Sequence, residues 1–251
     1  MKLKTTLLGG FVAATAMAGA MAQASTFAPH ISVTVWSASH LTNPGCSNPM
    51  NNCPYQEALP SNPIHSSSNE IATFTLSALP YWDVQTQTDN TLGQFINGTY
   101  NSSTGAWTLP SDISGFTAYN GLSVSQALAT VTSAGQFSTA TLMDFNVQGS
   151  FAGSYSFSGV IRHDDGISIF ANGNTNPLVN SANPTSATNT PFTISGSGAY
   201  DYNMWYLAAN GAPEVLQVSL TSATVPEPGT LALFAASLIG LGLAAARRRR
   251  V

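Results

Sequence analysis

The sequence predicts an all-β protein: an antiparallel β-sandwich ectodomain with one short helix, preceded by an N-terminal signal helix and followed by a C-terminal transmembrane helix. Three observations predict it. Between residues 25 and 221, short runs of β-branched and aromatic residues alternate with polar ones, the period-two pattern of half-buried strands. Clusters of Gly, Asn, Pro and Ser punctuate those runs at turn spacing. Within that body only the stretch after Ser123 has convincing helical periodicity.

Residues 1–24 open with Lys2 and Lys4, followed by an apolar run from Leu7 to Ala20. Ala20-Met21-Ala22 and Ala22-Gln23-Ala24 then supply small residues in A-x-A spacing, so a secretory signal peptide cut after Ala22 or Ala24 is expected. Ile31, Val33 and Val35 alternate with polar neighbours as a first strand. Leu41 to Asn69 has no sustained period and reads as a long loop. It contains Cys46 and Cys53, which an oxidising exported compartment favours as a short-loop disulfide. With no histidines at ligand spacing, the same pair is a poor zinc site.

Ile71 to Leu79 is the next strand. Asn97-Gly98 and Thr104-Gly105 are turns before a short strand at Ala106 to Leu109. Ser123 caps the helix, whose apolar face is Val124, Ala127, Leu128 and Val131. Strands follow at Leu142–Val147, Gly153–Arg162, Ile167–Ala171, Pro191–Ile194, Ala199–Leu207 and Val215–Leu220. Asp165-Gly166 and Asn172-Gly173 have the composition of two-residue hairpin turns, which need φ > 0 at both positions. Asn172 to Pro191 reads as a long Ser/Thr/Asn/Pro loop.

Residues 222–228 are a linker ending in Val225-Pro226-Glu227-Pro228. An apolar run occupies 229–246, and 247–251 supply Arg247, Arg248, Arg249, Arg250 and Val251. At about 1.5 Å per residue that run forms a helix of about 27 Å, close to the thickness of a bilayer core. The arginines hold its end in the cytoplasm and leave the body on the far side. This Pro-Glu-Pro, helix and basic-stop tail resembles the PEP-CTERM sorting signal. The resemblance implies recognition and cleavage by an exosortase, and a mature form at the cell surface or in extracellular polymer.

The charge balance fits that address. Between the two terminal segments Arg162 is the only Lys or Arg, against ten carboxylates, so the mature body carries about −9 at pH 7. Such a body has no footprint for nucleic acid, which requires clustered cations. Its surface is solvated by Ser, Thr, Asn and Gln, with divalent cations as available counter-ions.

Gly153-Ser154-Tyr155-Ser156-Phe157, His163-Asp164-Asp165-Gly166 and Ile167 to Gly173 follow one another in the second half, before strands at Tyr200–Tyr206 and Glu214–Leu220. Residues 149–220 thereby resemble the lectin-like β-sandwich of protective antigen and the flocculins. The resemblance implies carbohydrate binding or adhesion, with Asp164 and Asp165 as hard oxygen ligands for Ca²⁺. Because Ca²⁺ takes six to eight oxygens, Asn172 or Asn174 after the next strand is read as a further ligand. No cofactor is otherwise required. The alternative reading of the same residues is structural: Asp165-Gly166 turns the chain, while Asp164 pairs with Arg162 or accepts backbone N–H groups. His163 reads as a strand-end residue rather than a base.

Tyr81-Trp82 and Trp205-Tyr206 are candidate sugar-stacking pairs, with Trp82 and Trp205 as the ligand-binding members. Strand alternation lets only one of each pair face inward. No nucleophile elbow, zinc-protease helix or phosphate loop occurs, so the chain reads as non-enzymatic. The alternative is an extracellular glycan-active hydrolase, which would need two carboxylates facing one cleft. The expected partners are signal peptidase, an exosortase, the membrane before processing, and polysaccharide.

Overall fold

The computed structural model describes residues 30–39, 57–84, 90–133, 139–183, 185–209 and 211–224. The signal segment, Cys46, Cys53, Val225 to Pro228, the apolar run 229–246 and Arg247 to Arg250 lie outside the described residues. Among the described residues no helix is long and apolar enough to cross a membrane.

Strands β1 (His30–Ser39), β2 (Glu70–Leu76), β3 (Tyr81–Val84), β4 (Thr99–Asn101), β5 (Ala106–Thr108) and β6 (Ile113–Ala118) fill the first half, with the one-turn helix α1 (Leu92–Phe95) between β3 and β4. Helix α2 (Val124–Leu128) leads into β7 (Thr139–His163), β8 (Ile167–Ala171), β9 (Val179–Ser181), β10 (Thr188–Ala208) and β11 (Glu214–Thr224). Ser123 caps α2 as expected, its hydroxyl accepting from Gln126 N–H while the Gln126 side chain returns to the cap. On the expected apolar face Ala127 and Leu128 are buried, while Val124 is exposed. Thr91 builds the same capping box on α1, a helix too short to show periodicity in sequence.

The antiparallel sandwich expectation is corrected in one respect. The described strands form one continuous nine-stranded sheet, ordered β6-β2-β1-β7-β10-β8-β9 with β11 joining β7 to β3, plus the separate β4–β5 pair. The cause is the length of β7 and β10. Sequence reading divides each into two strands, but they run unbroken and pair with one another from Thr141↔Ala208 to His163↔Thr188. The first half of β7 lies between β1 and β10, and the second half between β10 and β11. Register slips between Ser197 and Ala199, where Gly198 takes φ +74. A bulge with left-handed glycine bends a strand pair strongly, and the sheet curls here instead of ending. Residue 149 lies within β7, so the motif-bearing portion is not a separable piece.

Inward-facing residues of both halves meet in one core. Ile31, Val33 and Val35 of β1, Met143 and Phe145 of β7 and Tyr206 of β10 share it with Tyr155, Phe157 and Ile161 further along β7. A second, smaller cluster lies on the opposite face of the sheet: Trp36, Leu142, Phe170, Trp205 and Leu207, covered by Ala58 and Ile64. Those covering residues come from the loop predicted at Leu41–Asn69. Its described part, 57–69, folds over one end of the outer face, fixed by Ala58 N–H to Ala182 O at 2.9 Å and by the Ser168 hydroxyl on Ala58 O.

Candidate functional site

The two strand ends of β8 carry two different arrangements of carboxylates. At its N-terminal end lies the Asp164-Asp165 pair. The predicted Asp165-Gly166 hairpin is not found, because β7 and β8 do not pair; β10 lies between them. The chain must cross the end of β10, and His163 to Gly166 form that crossing. Asp164 N–H donates to Val215 O and Asp165 N–H to Thr185 O, each at 3.0 Å, while Gly166 O accepts from Leu207 N–H at 3.1 Å. The Asp165 carboxylate accepts Ala209 N–H at 2.7 Å, and Asp164 Oδ1 accepts Asp165 N–H at 3.2 Å. A buried crossing segment leaves backbone donors without ladder partners, and carboxylates are acceptors that supply them.

Asp165 sits at φ 64, and a Cβ on Gly166 would lie 2.0 Å from Ala182 O, so only glycine fits there. His163 is fully buried; its ring bonds Asp165 O at 2.8 Å and the Thr190 hydroxyl at 2.7 Å, and burial lowers its pKa. The structural alternative for the pair is thus realised in its backbone N–H form. Arg162 goes elsewhere, to Asp83 at 2.8 Å on β3.

Sequence reading missed Glu214 beside this crossing. It is buried and accepts the hydroxyls of Thr132, at 2.6 Å, and Ser133. Burial pushes its carboxyl up to about 7, and that of Asp164 up to about 6. No local pattern marks a lone Glu that meets its partners 81 and 82 residues away.

Asn172 is not brought to this corner. It lies at the far end of β8, where its backbone N–H reaches Asp201 O at 2.9 Å and its Nδ2 reaches Asp201 Oδ2 at 2.6 Å. Five strand residues at about 3.3 Å each separate the two ends. The trio Asp164, Asp165 and Asn172 therefore does not fit Ca²⁺, which takes six to eight converging oxygens. Among the described residues no three His, Cys, Asp or Glu side chains form a group able to hold a metal ion. Nor is Asn172-Gly173 a two-residue turn. Only Gly173 has positive φ, and the chain continues to Val179 before pairing back as β9, inside the stretch read as loop.

Trp82 is 2% exposed and packs in the core against Phe74, Phe95 and Phe145, with Tyr81 at 65% exposure on the other side of its strand. Trp205 is 5% exposed and stacks on Trp36 at 5.8 Å, with His65 at 5.0 Å. Both candidate ligand-binding tryptophans are consequently packing residues. The one-face-inward rule fails at Trp205-Tyr206 because the 57–69 segment covers the outer face, so both neighbours are buried.

The outer face of β1, β7, β10 and β8 changes character along its length. Where it is covered, Trp36 lies opposite Leu142, and Leu142 opposite Leu207. The next row holds Thr34, Asp144 and Trp205, then comes Ser32, Asn146 and Asn203, and last His30, Gln148 and Asp201. Asn203 donates to both Asp144 oxygens at 2.9 and 2.8 Å, and burial raises the Asp144 carboxyl to about 6. Asp201 accepts Asn146 at 2.7 Å, Gln148 at 3.2 Å and Asn172 at 2.6 Å. An open depression of ≈ 450 Å³ adjoins it, lined by His30, Gln148, Gly149, Ala199, Tyr200 and Asp201. Asp144 and Asp201 lie two same-face positions apart on neighbouring strands, and the Asp201 carboxylate adds to the rise that burial gives Asp144.

No family model and no curated protein matches this chain. Among solved structures it is similar to a PA14 sugar-binding domain from an RTX adhesin, at 13% identity over 79% of this chain and 95% of that one, TM-score 0.43. It is also similar to the A domain of epithelial adhesin 9 from Candida glabrata in complex with Galb1-4GlcNAc, at 13% identity over 78% and 84%, TM-score 0.41. A third is the PA14 domain of the MpAFP antifreeze protein, at 15% identity over 78% and 85%, TM-score 0.40. These are distant likenesses in the course of an all-β chain.

Proposed function

We propose that this chain is an exported, non-catalytic surface or matrix protein whose β-domain binds polysaccharide. Its terminal segments are addresses: signal peptidase removes residues up to Ala22 or Ala24, and an exosortase acts near Val225-Pro226-Glu227-Pro228. The observation that carries the binding reading is the open half of the outer sheet face. It displays hydroxyls and amides (Ser32, Thr75, Asn146, Gln148, Asn203) on a rigid strand scaffold. Sugars present hydroxyls that donate and accept, and an array of amides and hydroxyls arranged around the Asp144 and Asp201 carboxylates answers both demands.

The tests are separate. Replacing Pro226, Glu227 and Pro228 with alanine is expected to leave a larger, membrane-retained species on an immunoblot; unchanged maturation counts against exosortase sorting. A glycan array probed with the purified full-length chain is expected to show saccharide binding, and a blank array at high protein concentration removes the adhesion reading.

A further inference from the structure

We infer that Asp201 with Asn146, Gln148 and Asn172 forms a cation-independent subsite for a neutral hexopyranose residue of a polysaccharide. The inference deepens the carbohydrate reading above and rests on it.

Three strands converge on one carboxylate. Asn146 and Gln148 reach it from β7, and Asn172 from the end of β8, to meet Asp201 on β10 between them. Asp201 is only half-buried, and Gln148 and Asn172 are exposed, so the group stands at the surface. A carboxylate accepts only, which fixes the direction of each amide: an N–H points to Asp201, and each amide C=O points away from it. Charge-assisted bonds at 2.6–2.7 Å hold Asn172 and Asn146 without the rotamer loss that a ligand would otherwise impose on them. The outcome is a pre-set array of three carbonyl acceptors and the remaining amide N–H donors, of which Gln148, together with Asp201, lines the depression.

The array distinguishes among ligands. Vicinal sugar hydroxyls both donate and accept, which matches alternating C=O and N–H groups. An anionic saccharide does not match. Asp201 itself is negative, and Arg162, the only Lys or Arg between the terminal segments, is paired with Asp83 on another strand pair. Uronates and sulfates would meet repulsion without a compensating cation. Nor does the apolar cavity of ≈ 80 Å³ behind Phe145, Phe157 and Met204 compete as a sugar site, being far below the roughly 300 Å³ at which ligand pockets begin.

The test uses the purified full-length chain in a non-glycosidic detergent, with gluco-, manno- and galacto-oligosaccharides as probes and uronate and sulfated oligosaccharides as counter-probes, each with Ca²⁺ and with EDTA. Expected is binding of a neutral probe with equal affinity in both buffers. Asp201→Ala should weaken it by about tenfold or more, since all three amides lose their anchor, and Asn146→Ala and Asn172→Ala by about three- to tenfold each. Asp201→Asn keeps the shape and is expected to weaken binding similarly, with a thermal midpoint close to that of the parent chain. Binding that is indifferent to all four substitutions overturns the subsite and leaves the carbohydrate reading standing. Binding lost in EDTA, or a preference for the anionic probes, overturns the ligand assignment. No binding of any probe overturns both.

Discussion

The two ends of β8 present the same functional group in opposite conditions. At one end Asp164 and Asp165 carry a recognisable motif, are 2% and 1% exposed, and give their oxygens to backbone N–H groups where the chain crosses β10. At the other end Asp201 carries no motif, stands half-open, and gives its oxygens to three side-chain amides. The first set of bonds completes the fold and leaves little that a ligand can reach. The second set completes no backbone ladder and instead points polar groups outward. The difference teaches that motif strength and ligand access are separate properties, because a motif with strict local geometry can owe that geometry to the backbone.

The sharpest way to break this comparison is at Gly166. Gly166→Val would drive a Cβ to 2.0 Å from Ala182 O, and a loss of about 3 kcal/mol or more is expected, read as failed folding or a collapsed urea midpoint. A folded, stable variant would mean the crossing is looser than described. Next in size is a reciprocal pair. Asp165→Ala removes the acceptor of buried Ala209 N–H and should cost about 1–3 kcal/mol with saccharide binding intact in the folded fraction. Asp201→Ala should cost about 0.5–1 kcal/mol and abolish most binding. Denaturant titrations paired with binding curves decide it, and equal stability costs would erase the distinction.

Titration sharpens the comparison further. The carboxyls of Asp164, Asp144 and Glu214 are raised in the fold to about 6, 6 and 7, from ordinary values of 3.8, 3.8 and 4.5, chiefly by burial. A raised folded value means that the native state holds its protons more tightly than the unfolded chain. Their contribution is fully present below about pH 4 and lost as pH rises through 6 to 7. The thermal midpoint is expected to be higher at pH 4.5 than at pH 8, with Glu214→Gln flattening the upper part of the curve. A midpoint that climbs with pH instead would contradict the burial described for these groups.

The smallest expected effect is a null one. Millimolar Ca²⁺ should leave the thermal midpoint within about 1 °C, because a ligand that binds only the native state must raise it. A clear rise that Asp165→Asn abolishes would return the acidic corner to candidacy as a metal site.

Several elements were legible in the residues themselves. Period-two runs marked β1, β2, β8 and β11, and Ser123 with Gln126 marked α2, since both signals are local in the chain. The continuity of β7 and β10 was not legible. Gly149, Gly153, Gly196 and Gly198 look like breaks when read in order, whereas in the sheet Tyr200 and Tyr155 fill the space that a Cβ at Gly149 or Gly196 would occupy. Trp82 was half legible, alternation placing one of its pair inside. Trp205 was not, because its cover comes from a loop more than 130 residues upstream.

By itself the sequence determined the all-β class, the shortage of cations in the body and the expectation of terminal addresses, all of which follow from composition and local period. Tertiary structure alone decided that β8 lies beyond β10 and not beside β7. That single choice turned Asp164 and Asp165 into acceptors for a buried crossing and carried Asn172 to Asp201. The physical reason is that strand pairing is non-local: the partner that fixes a side chain's surroundings is set by register across the sheet, which no short window of residues contains.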